Sequence, residues 1–316
     1  YLKSTYLSYD ESLGRYQRLD DYKNRKAYNW QDILLDGAPY TSHHVSLSGG
    51  TQRTKYSASA SYFYQKGTLT RSQYNSFRAR VTLDQQLSKN VTIGTTVNYS
   101  NNKTQGANPS ESHGGWSCSH YLFYSILGYR PLTYNVDQDL LNEAFDPNIS
   151  GANDYRYNPV KTVQNEENEN VNRSLNMNAY FNWKITKNLE FRATGSLNSS
   201  IIRSYSFNNS NTYWGDEQYQ PDKQNGSFNY TEYNNWSNDY TLTYRTNKKG
   251  HNIMGMLGAS LSGNQYQRLG GSSSLVPWEE LGLWGIDQGT AKRTMAEKTE
   301  QHMMSFFARA NYHWKS

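Results

Sequence analysis

The chain has 316 residues, and its 32 Lys and Arg nearly balance its 27 Asp and Glu, so the net charge is only +5. Without a basic block or basic helix, the sequence argues against a nucleic-acid partner. Hydrophobic residues make up only 35% and mean hydropathy is -0.94, yet 28 Tyr and 8 Trp exclude a disordered chain, and no apolar run is long enough for a membrane helix.

Residues 1–42 are predicted to be a lead-in segment that precedes a sheet. The first four residues, Tyr-Leu-Lys-Ser, contain no Met and open no signal peptide, so we expect the chain to begin inside a longer polypeptide or after processing. The single cysteine, Cys118, cannot form an internal disulfide. The scattered histidines show no metal-ligand spacing, so neither a metal site nor a cofactor is predicted.

From about Val45 onward, apolar and polar residues alternate with period two. This alternation predicts half-buried antiparallel strands, of which we count about nine. Within each run the apolar or aromatic residues occupy one face and the Ser, Thr, Asn and charged residues occupy the other. The clearest runs lie at 56–64, 77–83, 91–99, 175–183, 189–197, 240–244, 253–261 and 306–314.

The connections between these strands alternate between short and long. Outer-membrane β-barrels have short periplasmic turns and long extracellular loops in this alternation, whereas a soluble sandwich has no reason to keep it. The strands, predicted at about ten to fifteen residues, also suit a tilted crossing of a bilayer. Short turns are predicted at 51–54, 88–90, 186–188 and 247–250, and long loops at 66–74, 103–168, 208–226 and 270–297.

The charges lie on the polar faces of the predicted strands. An arginine on the lipid side at the bilayer midplane would cost about 2–4 kcal/mol, so these residues are predicted to face a wet or plugged lumen. The predicted lumen-facing arginines are Arg78, Arg80, Arg192, Arg245 and Arg309. Aromatic residues near strand ends resemble the girdles of membrane interfaces, and they include Tyr62, Tyr64, Tyr99, Trp183 and Trp314.

The long loop at 103–168 is predicted to be extracellular, with a short helix at 119–127 that ends before Gly128 and Pro131. The acidic stretch at 165–170 is predicted to be a solvated strand extension. Aromatic rings in the long loops could stack on sugar rings or bind a partner protein, or they could pack the loops onto themselves; both interpretations stay open. The candidate residues are Trp116, Tyr121, Tyr129, Trp214, Trp278 and Trp284.

Several short motifs carry a family resemblance. Asn-Trp-Gln-Asp at 29–32, followed by Ala-Pro at 38–39 and His-Val-Ser-Leu-Ser-Gly-Gly at 44–50, resembles the early barrel of SusC/RagA-type TonB-dependent transporters of the Bacteroidetes. Each motif alone is weak, but together they occur in the expected order over most of residues 29–315. Further matches are Lys-Tyr-Ser-Ala-Ser at 55–59, 76–84, Arg-Pro at 130–131, Tyr-Asn-Pro-Val at 157–160 and 305–312.

The resemblance implies an all-β chain: residues 43–316 would form about nine strands of a 22-stranded transmembrane barrel in the bacterial outer membrane. The plug, the TonB box and the remaining strands are not found in this sequence. The whole protein would import glycans or oligosaccharides, or peptides, with a SusD-like surface lipoprotein, and TonB would energise it through the missing N-terminal region. Outer-membrane lipid would surround the barrel.

No sequence motif indicates an enzyme. The chain has no Gly-x-Ser-x-Gly, zinc or phosphate-loop motif, so no catalytic residue is predicted. Transport of this kind needs none. The alternatives are a passive porin-like barrel, a barrel-embedded enzyme with a Ser/His/Asp cluster in the lumen, and a soluble secreted carbohydrate-binding β protein.

Overall fold

The computed structural model of the chain describes residues 9–10, 15–16, 20, 25–107, 122–132, 139–141, 158–216 and 222–314. Nine of its strands, β3 to β11, form one antiparallel sheet in which every strand pairs with its neighbours in sequence. This confirms the prediction of an all-β antiparallel segment of about nine strands. A separate hairpin, β1 (Tyr9–Asp10) with β2 (Arg15–Tyr16), precedes the sheet.

The elements follow one another in a simple order, with the helices confined to one end of the sheet. The helices are α1 (Trp30–Leu34), α2 (Leu122–Gly128) and α3 (Pro159–Asn165), and a 3-10 segment spans Glu279–Gln288. The strands of the sheet are β3 (Tyr40–Gly50), β4 (Thr54–Lys66), β5 (Gln73–Gln86), β6 (Val91–Gln105), β7 (Glu166–Lys184), β8 (Leu189–Asn208), β9 (Asn225–Lys248), β10 (His251–Ser274) and β11 (Thr290–Trp314).

The four short turns lie at one end of the sheet, as predicted. At the turn between β3 and β4, the Thr51 hydroxyl accepts from the backbone N–H of Thr54 at 3.1 Å. The Thr186 hydroxyl does the same for Leu189 at 3.0 Å. Lys249 and Gly250 both have positive φ, 52° and 84°, which is the two-residue hairpin turn that matches the twist of its strands.

The strands run further than the sequence predicted. The predicted loop at 270–297 is wrong in its bounds, because β10 continues to Ser274 and β11 begins at Thr290. The loop at 103–168 is shortened by β6, which reaches Gln105, and by β7, which begins at Glu166. The last five strands have 19 to 25 residues, instead of ten to fifteen. The polar residues at the ends of these strands resemble loop sequence, but in the structure they pair with the neighbouring strands.

The first strand of the sheet begins at Tyr40, within the predicted lead-in segment, and the division at residue 42 stays a prediction. Helix α2 covers most of the predicted helix and includes Gly128, while residues 119–121 lie outside the described residues. The acidic stretch is a strand extension as predicted from Glu166 onward, but the sequence did not predict α3 before it.

The apolar face of the sheet has no protein layer against it among the described residues. Phe306 is 74% exposed, Leu257 63% and Val81 50%. A soluble β-sandwich would bury these side chains against a second sheet. Here the exposed apolar side chains form a band across one face of the sheet. From β5 to β11 this band runs from Phe77 to Trp314.

The band crosses the strands obliquely, and this gives the strand tilt. On β5 the centre of the band lies at the level of Arg80. The strand register places Arg80 at the same level as Gln301 on β11, six strands away. The centre of the band on β11, between Met304 and Trp314, is about eight residues further along. The band therefore shifts by about 27 Å along the strand direction over about 29 Å across the sheet, which corresponds to a strand tilt of about 43°. Barrel strands in membranes tilt by about 35–45°.

The buried core lies at the end of the sheet opposite the short turns. There α1, α2 and α3 pack together as a helical cap with the β4–β5 loop and the end of β6. Backbone hydrogen bonds join the end of α1 and the residues after it to the β4–β5 loop: Thr70 N donates to Leu34 O at 2.9 Å, and Asp36 N donates to Thr68 O at 2.8 Å. The core residues are Tyr28, Trp30, Leu34, Leu69, Ala107, Leu122, Ile126, Tyr129, Leu140, Val160 and Val163.

None of the described helices has the length and apolarity needed to span a bilayer.

Candidate functional site

The polar face of the sheet carries all five arginines that the sequence singled out. Strand pairing places each of them beside polar residues or methionine, on the side opposite the apolar band. That they face a lumen stays a prediction. Their cross-strand neighbours are Ser61 and Ser100 for Arg78, Ser59 and Asn98 for Arg80, Asn182 and Thr241 for Arg192, Met254 for Arg245 and Met256 for Arg309.

Hydrogen-bonding groups, nearly all of them uncharged, form continuous rows across this face. One row is dominated by amides, and the next is dominated by hydroxyls, two of which bond directly as Ser196 Oγ and Ser237 Oγ at 2.7 Å. Apart from Arg80, these rows offer donors and acceptors without a fixed charge. The amide row is Ser59, Arg80, Asn98, Asn176, Asn198, Asn235, Asn264 and Gln301, and the hydroxyl row is Ser57, Thr82, Thr96, Asn178, Ser196, Ser237 and Ser262.

Nearer the short turns, several charges of the polar face have partners. The Tyr180 hydroxyl donates to Asp84 Oδ1 at 2.7 Å, and the guanidinium of Arg192 lies 5.2 Å from the centre of the Tyr180 ring. Arg245 Nη1 lies 2.9 Å from Glu190 Oε2. These contacts hold the charged side chains along the wall.

Arg78 and Arg80 differ from these residues. Both are exposed, and they line a recess of about 240 Å³ together with serines and asparagines of the neighbouring strands. Among the described residues, no carboxylate forms an ion pair with either guanidinium. The recess can therefore accept an anionic group or a polar oxygen from a molecule outside this sheet.

At the other end of the strands, the helical cap is organised around Trp30. Its ring stacks on Tyr28, with centroids 5.1 Å apart, and meets the edge of Tyr129 at 5.2 Å. The Trp30 indole N–H donates to the carbonyl oxygen of Arg130 at 3.0 Å. Asn158 caps α3 through its side chain, which accepts from Val160 N at 2.9 Å.

The candidate loop aromatics have different environments. Tyr129 is only 2% exposed, so its ring packs the loop instead of facing solvent, as one of the two open interpretations had it. Trp214 is half-buried in the loop between β8 and β9, where its ring meets Tyr213 edge-on at 4.8 Å. Trp116 and Tyr121 lie outside the described residues.

Trp284 lies within the 3-10 segment and Trp278 lies directly before it. Both side chains are exposed, Trp278 at 61% and Trp284 at 84%. This segment folds over the outer side of the strand extensions. Gly282 of this segment packs closely on Glu167 of β7, since a Cβ added to Gly282 would lie 2.9 Å from the Glu167 carboxylate. Glu167 is on the same side of β7 as the apolar band. The Glu279 carboxylate anchors the segment by accepting from Ser210 N at 2.8 Å and Ser210 Oγ at 2.9 Å.

A cleft of about 350 Å³ opens beneath Trp284, and sequence reasoning did not identify it. Its walls come from the ends of β5, β6, β7 and β8 and from the 3-10 segment. Residues so far apart in sequence share no motif, and the acidic stretch of β7 alone indicated only a solvated strand.

No family model matches the chain. The chain is 24% identical over 297 residues to TonB-dependent receptor P26 of Formosa agariphila, and this match covers 91% of the chain and 28% of the relative. TonB-dependent receptor P3 of the same organism is 23% identical over 308 residues, again with 91% and 28% covered. The chain therefore spans a little over a quarter of the length of the curated relatives it matches.

The fold is also found in solved structures of the RagAB peptide importer. In the closed-closed state the TM-score is 0.67 at 19% identity, covering 97% of this chain and 33% of the other. The structure titled as the RagAB peptide transporter gives a TM-score of 0.68 at 19% identity, with 96% and 34% covered. The likeness shows the fold of the barrel wall.

Both comparisons concern outer-membrane β-barrels, and the exposed apolar band agrees with that location. The motifs, the relatives and the fold agree: the chain resembles a partial barrel segment of the SusC/RagA-type TonB-dependent transporters.

Proposed function

We propose that this chain forms part of the wall of an active importer in the outer membrane, which TonB energises and a SusD-like lipoprotein covers. The cargo class is an oligosaccharide or an oligopeptide. The observation that carries the proposal is a nine-stranded sheet with an exposed apolar band on one face and rows of hydrogen-bonding groups on the other. The two edges, β3 and β11, would pair with further barrel strands, because lipid does not tolerate open edges.

The apolar band argues against a soluble secreted protein. Soluble monomers rarely expose contiguous apolar patches of more than a few hundred Å². Here exposed large apolar side chains recur on every strand from β3 to β11, among them Leu47, Val81, Leu257 and Phe306. A hydrocarbon environment satisfies such a face without a second protein layer.

The likeness to named TonB-dependent receptors supports active uptake over passive diffusion. The alternative of an embedded enzyme has no support in those relatives. A passive porin would pass its cargo without an energy source, so dependence on TonB separates the two kinds of barrel.

The polar face supports a large uncharged or weakly charged cargo. Amide and hydroxyl rows can exchange hydrogen bonds with sugar hydroxyls or with peptide groups as these move past. The recess at Arg78 and Arg80 adds a place for a carboxylate, which an oligopeptide carries at its C-terminus and a neutral glycan lacks. The RagAB importer, whose fold is shared, is named for peptides.

Uptake by the full-length protein would test the proposal. Cells that lack the native gene and express the full-length protein would be given a fluorescent oligopeptide and, separately, a fluorescent oligosaccharide, with and without a functional TonB. We expect TonB-dependent accumulation of one cargo. Accumulation that does not depend on TonB would indicate a passive pore, and no accumulation of either cargo would contradict import of these classes.

The arginine recess gives a sharper version of the same test. The double variant Arg78→Gln, Arg80→Gln removes both charges while keeping polar side chains, and Arg309→Gln removes one arginine elsewhere on the polar face. We expect the double variant to reduce uptake of an oligopeptide with a free C-terminus more than that of its amidated form. The Arg309 variant should not distinguish the two peptides.

A further inference from the structure

The cleft beneath Trp284 lies on the outer side of the wall, not on its polar face. The side chains of Gln73, Gln105 and Glu169 line it, and strand register places all three on the same side as the apolar band. Trp284 is 84% exposed, although tryptophan is highly buried on average. Its ring therefore has a free face that no described part of the protein covers.

Hydrogen bonds fix the polar groups of the cleft in place. Gln73 Nε2 donates to Gln105 Oε1 at 2.6 Å, and Gln105 Nε2 donates to Glu169 Oε2 at 2.7 Å. Lys103 Nζ lies 2.9 Å from the same carboxylate oxygen. Each amide nitrogen has two hydrogens, so each keeps one N–H after these bonds are made. A ligand would meet donors whose positions are already set.

The cleft also presents acceptors. Glu167 is exposed, and no hydrogen bond or ion pair to its carboxylate is found among the described residues. Arg71 also lines the cleft, and its Nη1 donates to the carbonyl oxygen of Gln164 at 2.8 Å. The carboxylates disfavour a phosphate, and the guanidinium disfavours a cation. A neutral ligand that is rich in hydroxyl groups fits both.

The height of the cleft above the membrane excludes a lipid chain. On β7 the apolar band ends at Leu175, since Arg173 follows on the same face. Glu169 lies six residues beyond Leu175, about 15 Å above the edge of the band at the strand tilt derived above. At this height the wall borders surface saccharide and water instead of hydrocarbon.

We propose that the cleft beneath Trp284 is a binding site for a neutral saccharide on the outer wall of the barrel, separate from the path of the imported cargo. An aromatic face that covers a sugar ring, with amide and carboxylate groups at its edge, supplies both the apolar contact and the directional hydrogen bonds that such a ligand needs. At about 350 Å³ the cleft lies at the lower end of the usual size of small-ligand sites.

The saccharide could belong to lipopolysaccharide in the same leaflet or to a soluble glycan. Calorimetric titration of the full-length protein in lipid nanodiscs would use two probes, a neutral, phosphate-free oligosaccharide released from lipopolysaccharide of the source bacterium and maltohexaose. Binding of the first probe alone identifies a membrane-anchored source, and binding of maltohexaose identifies a soluble one. Failure of both probes at millimolar concentration would overturn the proposal.

A matched pair of variants assigns the binding to the cleft. Trp284→Ala should weaken binding at least tenfold, while Trp278→Ala, an exposed tryptophan that does not line the cleft, should change it less than twofold. Glu167→Gln keeps the shape and should weaken binding by about threefold to tenfold. TonB-dependent uptake should be unchanged in the Glu167→Gln variant. Equal losses for the two tryptophan variants would contradict a site in the cleft.

Discussion

Ala179→Arg puts a charge in the middle of the apolar band. Ala179 lies on the outward face of β7, four residues from both Leu175 and Trp183, which bound the band on that strand. Strand register places it between Thr95 and Gly195, two small residues at the same level. At the derived tilt, four residues correspond to about 10 Å from either edge of the band.

An arginine side chain can bend its charged end toward water, but it is too short to bring that end fully across about 10 Å of hydrocarbon. The cost should therefore approach that of a midplane arginine, about 2–4 kcal/mol. This free energy corresponds to a loss of about 30-fold to 1000-fold in the folding equilibrium constant. Asn178→Arg is the matched control, since Asn178 lies one residue away on the polar face, between Thr96 and Ser196.

The measurement is an equilibrium denaturant titration of the full-length barrel in lipid vesicles, followed by tryptophan fluorescence. We expect the free energy of unfolding to fall markedly for the Ala179 variant, and by less than about 1 kcal/mol for the Asn178 variant. Equal destabilisation by the two substitutions would mean that the faces of the sheet are assigned incorrectly.

Three further predictions follow from the ends of the strands. In a Cys118→Ser background, Gly37→Cys should react with an impermeant maleimide on intact cells and Lys187→Cys should not, since the two positions lie at opposite ends of the sheet; the reverse pattern would invert the topology. Trp30→Ala should cost about 3–5 kcal/mol of cap stability and speed proteolysis of the cap while the barrel stays folded, and unchanged digestion would contradict this role. Trp214→Ala should reduce lipoprotein co-purification or cargo uptake without unfolding the barrel, and wild-type values for both would leave its ring as loop packing.

The strands were predictable because their alternation is local. The run at 175–183 indicates a strand with two different faces without knowledge of its partners, and its neighbours follow from the short turns. The extension of β10 to Ser274 was not predictable in the same way, because its polar residues are held by pairing with β9 and β11. The same limit applies to Tyr129, whose burial depends on Trp30, about a hundred residues earlier.

The candidate sites differ in the same respect. The placement of Arg78 and Arg80 on one face follows from their spacing of two residues, so the sequence was sufficient. The cleft beneath Trp284 needed the register of four strands and the fold of a distant loop. Only the structure brings Gln73, Gln105 and Glu169 together.

The unequal strand lengths make the two halves of the rim opposite the short turns differ in stiffness. Above the band, β5 continues for about four residues beyond Phe77, roughly 10 Å, whereas β10 continues for about thirteen beyond Leu261, roughly 32 Å. The helical cap stands over the low half, joined by loops, and hydrogen-bonded sheet forms the high half. Loops open locally at lower free energy than paired strands. A partner that binds to this rim would therefore contact a flexible surface beside β5 and a rigid surface beside β10.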